Sequence, residues 1–201
     1  MSRVLPFVVC LLGAPALSAT VLVPAEFREI VAGSEIIAHA RVVDLRPEWI
    51  DGRRQIRTIV TAEVLSTYKG EPARTVSFTV PGGQIGRYRS VMIGAPQFNR
   101  GEEAVLFLDS RGGEVLRVFG LNQGVFRVRP DPRTGRRMVV RPVLTAAGTG
   151  PEPVVRGASS RRPVELHVFG AQVRTAMAAP PGEAAGRAVA PRGMAGPRGV
   201  K

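Results

Sequence analysis

The stretch "IRTIVTAEVLSTYKG", Ile56 to Gly70, decides the fold. Ile56, Thr58, Val60, Ala62, Val64 and Tyr68 all fall on even positions and share one face, opposite Arg57, Glu63 and Lys69. Successive side chains of a strand point to opposite faces, so this pattern predicts a long strand with one apolar and one polar face. The alternation extends in both directions. Upstream, "EIIAHARVVDL" places Ile36, Ala38, Ala40 and Val42 on one face and Glu35, Ile37, His39 and Arg41 on the other. "PEWIDGRR" reads as the exposed turn between these two paired strands, with Trp49 standing in that loop. Downstream come "TVSFTV", "RYRSVMI", "AVLFLD", "EVLRVFG" and "GVFRVRP". "AVLFLD" is apolar at both parities and is expected at the centre of the sheet. Seven strands, with an eighth expected at "RRMVV", are separated by Gly, Pro and Asp turns, which predicts a mainly β chain. The small residues Ala38, Ala40 and Ala62 on inward positions favour a tight barrel, closed or partly open in the OB manner.

Two helices flank the strands. Phe27, Ile30 and Val31 share one helical face that ends near Gly33, and Leu166, Phe169, Val173 and Met177 share another inside "VELHVFGAQVRTAMAA". Gly170 lies within the second helix, at a cost of about 1 kcal/mol against alanine. The expected organisation is a signal peptide over 1–19, a barrel domain with its amino-terminal helix over 20–145, a Pro/Gly/Ser-rich linker over 146–162, a helix over 163–179 and a disordered basic tail over 180–201. The leader reading rests on Arg3, the apolar run Val4–Leu12 and the small residues Ala16, Ser18 and Ala19, with cleavage after Ser18 or Ala19. Pro6 and Pro15 weigh against a membrane anchor in its place. The single cysteine, Cys10, falls within this leader, so the mature chain is expected to hold together without disulfides. Neither Asn99 nor Asn122 begins a glycosylation sequon, which favours a bacterial periplasm or exterior.

The net charge of +12 belongs mostly to the carboxy-terminal part of the chain, from Arg129 onward. Residues 20–128 carry 14 Lys and Arg against 12 Asp and Glu, whereas residues 129–201 carry 13 against 4. A basic arm of that kind is expected to touch an anionic envelope surface weakly, in a salt-dependent way. For nucleic acid the pattern is poor: stacking platforms are needed, and Tyr88 between Arg87 and Arg89 is the one aromatic interleaved with cations.

"SEIIAHARVVDL", "VTAEVLSTYKGEPARTVSFTVPGG", "GAPQFNRGEEAVLFL" and "GLNQGVFRV" resemble a group of uncharacterised secreted bacterial proteins. More distantly they resemble the barrel of the tissue inhibitors of metalloproteinases and the netrin-like modules, an OB-type fold. The resemblance covers about Ser34 to Val128 and implies a protein-binding barrel, with an exported protease as one candidate partner. The animal inhibitors chelate the protease zinc through an amino-terminal cysteine, and the mature chain has no cysteine. That mechanism is therefore not implied.

The usual catalytic constellations are missing from the sequence. His39 and His167 lie far apart without metal-ligand spacing, and His39 reads as a solvated strand residue. Glu102 and Glu103 are adjacent, so on a strand their carboxylates diverge, and "NRGEE" reads as a solvated turn. Ser34, Ser66, Ser77 and Ser90 sit in no nucleophile elbow. "VPGGQIGRYRS" has neither the phosphate-loop nor the dinucleotide spacing and reads as a strand-to-strand connection. The expectation is a monomeric, non-catalytic module that needs no cofactor or metal. Its candidate protein-contact residues are Trp49, Arg87, Tyr88 and Arg89. The alternative is an envelope-associated structural protein tethered by its Arg-rich tail.

Overall fold

The computed structural model describes residues 25–110, 113–142 and 162–178. The expected leader, almost all of the linker and the basic tail lie outside them. The chain enters through α1 (Phe27–Gly33), where the Glu26 backbone N–H donates to Glu29 Oε2 and Ser34 Oγ donates back to the Ile30 carbonyl. Next come β1 (Ile36–Ile50), β2 (Gln55–Lys69) and β3 (Thr75–Pro81), then a small hairpin of β4 (Gly83–Ile85) and β5 (Tyr88–Ser90). β6 (Glu103–Asp109), β7 (Arg117–Val118), a 3-10 turn (Leu121–Gly124), β8 (Val125–Pro130), β9 (Arg137–Val140), β10 (Val164–Glu165) and α2 (Leu166–Ala178) complete the described chain.

Five strands close into an OB-like barrel in the order β1-β2-β3-β7-β6 and back to β1. Every contact in the ring is antiparallel except β3 with β7, a parallel junction through Thr79 and Arg117. Closure leaves these five strands without an open edge over their shared length. β8 pairs with β6 beside β7, and β9 and β10 extend the sheet outward from it.

β6 carries the reason for two cores. Ala104, Leu106 and Leu108 point into the barrel with Ala40, Val42, Val60, Ala62, Val76, Phe78 and Phe98. Val105 and Phe107 point outward, where Ile30, Val31, Ile37, Phe126, Val128, Val139, Phe169 and Val173 cover them. The doubly apolar "AVLFLD" is thus a central strand, as its composition predicts.

Several expectations change. The β1–β2 ladder contains three register irregularities, at Leu65, Tyr68 and Val43, each of which adds one residue to one strand. An extra residue reverses which parity faces inward. Val64 therefore packs on the inner core, but Tyr68, assigned to the same face by alternation, packs on the outer one. Trp49 is not in a loop: β1 runs through it to Ile50, Trp49 pairs with Ile56, and only Asp51–Arg54 turn. "RYRSVMI" supplies strand only over Tyr88–Ser90, and "EVLRVFG" only over Arg117–Val118. On α2, Phe169 and Val173 are buried but Met177 is exposed. A Cβ on Gly170 would stand 2.7 Å from Tyr68 Cε1, so the glycine admits the tyrosine ring against the helix.

Candidate functional site

At the end of β3 the chain leaves the barrel because Gly82 and Gly83 adopt φ of +92° and +144°. Side chains avoid that region, and a Cβ on Gly83 would also lie 2.5 Å from Thr58 Oγ1. Thr58 Oγ1 donates to the Gly82 carbonyl, and the Gly82 N–H donates to the Ile56 carbonyl, which fixes the departure point. The hairpin then pairs Gly83 with Ser90, Gln84 with Arg89 and Ile85 with Tyr88 around a two-residue turn at Gly86 and Arg87. The glycines of "VPGGQIGRYRS" serve a connection, and that connection is itself a two-stranded sheet.

The hairpin brings three of the four candidate residues together. The Tyr88 ring meets the Trp49 indole edge-on at 5.6 Å, and Arg87 Nη2 donates to Tyr88 Oη with its guanidinium 5.2 Å from the ring centre. Arg89, the next residue along the strand, points away from that stack. It lines a cavity of about 440 Å3 between the hairpin and the barrel mouth, together with Leu45, Val60, Val80, Met92 and Phe98. From β5 onward the chain exposes large apolar side chains: Tyr88 is 52% exposed, Val91 62%, Met92 49% and Ile93 76%. These last three were missed because their apolar character reads as a strand continuation. Their legible signal is that "VMI" is apolar at consecutive positions, without the alternation of a half-buried strand.

No family model, no curated protein and no solved structure matches the chain.

A second polar cluster lies where β1 meets β6. His39 is 2% exposed and not solvated as its neighbours suggest, because α1, α2 and β8–β9 cover the outer face of β1 that Ile37 shares. His39 Nε2 lies 3.1 Å from Glu103 Oε2, and Arg41 donates to Glu103 Oε1 at 2.8 and 3.2 Å from Nη2 and Nε. Arg137 Nε approaches Glu103 at 3.8 Å from the side of β9. Glu102 diverges from Glu103 as expected, yet it too is held: its carboxylate accepts from the Asn99 N–H and pairs with Arg127, whose Nη2 donates to the Gln97 carbonyl. The expected turn is present, with exposed Asn99, Arg100 and Gly101 and the Glu102 N–H donating to the Asn99 carbonyl, but Glu103 lies on β6 and both carboxylates are paired. Among the described residues no group of three or more His, Cys, Asp or Glu side chains is placed to hold a metal ion.

Electrostatics follow from this packing. Burial pushes the His39 imidazole below its ordinary value of 6.5, against the pull of Glu103. For Glu103 burial acts upward, but the Arg41 bonds and the Arg137 and His39 charges outweigh it and hold the carboxyl below 4.5. Burial, with repulsion from Arg129, lowers Arg127. The cluster fastens β1 to β6 and β9.

The His39 shift has a measurable sign. The unfolded chain takes up this proton first as pH falls through about 6.5, so stability is full above that value and declines below it. Glu103 acts in the opposite sense of charge but in a lower window, since its contribution is lost only as pH falls below about 4.5. Between about pH 6.5 and 5, wild-type stability should therefore fall, by at most about 1.4 kcal/mol per pH unit, the limit for one proton. In His39→Leu that slope should flatten, whatever the absolute stability. Urea melts across the interval would show it, and parallel slopes in the two proteins would refute it.

Proposed function

We propose that this chain is a non-catalytic protein-binding module of the bacterial periplasm or exterior, with the β4–β5 hairpin and the residues just after it as its contact edge. One observation carries the reading. Tyr88 on the hairpin and Val91, Met92 and Ile93 just after it expose large apolar side chains, where two glycines in positive-φ conformations lead the chain out of β3. Clustered exposed apolar side chains cost solvation unless something covers them, and aromatic and Arg residues are the common anchors of interfaces. Trp49 buttresses Tyr88 from behind, so the edge is presented without a large ordering cost. Arg87 and Arg89 flank it and suit a partner with an acidic rim.

The test is capture from periplasm and culture supernatant by wild-type protein and by the double variant Tyr88→Ser/Ile93→Ser. Both side chains are exposed, so melting temperature should hardly move while retention of the partner should drop about tenfold or more. Equal retention by the two proteins would sink the reading. A finer form, in which the partner is an exported protease, rests on the family resemblance. It further requires that wild type, and not the double variant, slow proteolysis by the captured enzyme.

A further inference from the structure

We infer that the cavity between the hairpin and the barrel mouth is an anchor pocket, which takes one apolar side chain lying beside an Asp or Glu carboxylate on an acidic segment of the partner. The inference rests on the binding reading above and names the chemistry that would occupy it. The cavity's floor is apolar: Leu45, Val60, Val80 and Phe98 all belong to or pack on the inner core, and Pro47, Pro96 and Met92 extend the wall. Its volume, about 440 Å3, falls within the range of pockets that hold compact ligands, roughly 300–1,000 Å3. Arg89 supplies the one charged side chain of the lining, beside the polar side chains of Thr58, Gln84, Ser90 and Gln97. Among the described residues it makes no ion pair or side-chain hydrogen bond, unlike Arg87, which is committed to Tyr88.

A guanidinium with no partner among the described residues, at the lip of a cavity with an apolar floor, is matched by a carboxylate, which it can grip through two parallel N–H donors. Continuity selects a chain segment as occupant. Val91 and Met92 both line the cavity and belong to the exposed edge, so an occupant seated inside continues directly onto the hairpin surface. The core beneath already places the floor in position, which leaves little reorganisation to oppose binding.

Met92 reports on the pocket. In the full chain labelled at methionine methyl groups, and assigned with Met92→Leu, the capped dipeptide Ac-Asp-Phe-NH2 should shift the Met92 signal saturably. Met138 and Met177, which do not line the cavity, should stay in place. Ac-Asn-Phe-NH2, or the variant Arg89→Gln with the acidic peptide, should bind about tenfold more weakly, the loss of a charge-assisted contact. Ala95→Trp fills the space and should abolish the shift; Arg89→Gln, at an exposed position, keeps the test valid if the tryptophan disturbs folding. A Met92 signal that stays still at millimolar peptide overturns the pocket, as does equal affinity for the Asp and Asn peptides. If Met92 stays still while Tyr88→Ser/Ile93→Ser still loses the partner, the pocket falls and the contact edge stands. If the peptide binds but capture ignores the hairpin, the contact edge falls instead.

Discussion

Replacing Phe169 by alanine is expected to cost about 3–5 kcal/mol, the range for deleting a fully enclosed aromatic side chain. Phe169 is buried on α2, and its ring lies 5.0 Å from Phe126, 5.7 Å from Phe27 and 6.4 Å from Phe107. Those four rings come from α1, β6, β8 and α2, so one side chain ties both helices to the central strand. Its loss removes apolar contact and also leaves a cavity that backbone on four elements cannot collapse to fill. Against a total stability of about 5–15 kcal/mol for a domain, the change should lower the melting temperature by about 10 °C or more. Val168→Ala, one residue earlier and exposed, is the control and should stay within about 0.5 kcal/mol. If the two variants melt together, α2 does not hold the outer core in the way the rings suggest.

Phe169 also shows how far sequence reading reaches. Its helix is legible because Leu166, Phe169 and Val173 recur at helical spacing, and the strands are legible because Val76, Phe78 and Val80 alternate. Alternation says which residues share a face, but not whether that face is wet. His39 follows Ile37 on a face with two charged neighbours and reads as solvated; only the arrival of α1, α2 and β8–β9 from distant parts of the chain makes it buried. The fate of Tyr68 was hidden for a different reason. Extra residues in β2 reverse inward and outward parity, and nothing in "VLSTYKG" marks where they fall.

Barrel closure was legible as a class and not as a contact. It depends on β7, two residues long, reaching β3 in parallel at Thr79 and Arg117, and so short a strand leaves no periodic signal. The candidate site divides in the same way. Arg87 and Tyr88 adjoin in sequence and touch, whereas Trp49 joins them only because β1 runs on past Pro47 to meet the hairpin. Arg89, their neighbour in sequence, belongs to the cavity on the other side, because neighbouring strand residues diverge.

The 3-10 turn after β7 yields the second large effect, from Gly124→Ala. Gly124 needs no left-handed backbone; what it needs is room. Its N–H donates to the Phe119 carbonyl at 3.0 Å, and the Phe119 N–H donates to the Phe107 carbonyl at 2.9 Å. A Cβ on Gly124 would lie 2.8 Å from the first of those oxygens, 2.9 Å from the second and 3.0 Å from Val118 Cγ1. Two of the three obstacles are backbone atoms held in hydrogen bonds, so the added methyl cannot be accommodated by a side-chain rotation. The expected loss is about 3 kcal/mol, at the upper end for overpacking. Gly135→Ala separates crowding from conformation: that glycine has φ of +68° with nothing near its Cβ position, so alanine should cost only about 1–2 kcal/mol of left-handed strain. Denaturant melts that place Gly124→Ala no lower than Gly135→Ala would refute the crowding account. A larger loss at Gly124 would mean that the turn seats β7 and β8 side by side on β6 by excluding a side chain, and hence that barrel closure depends on a residue with no side chain of its own.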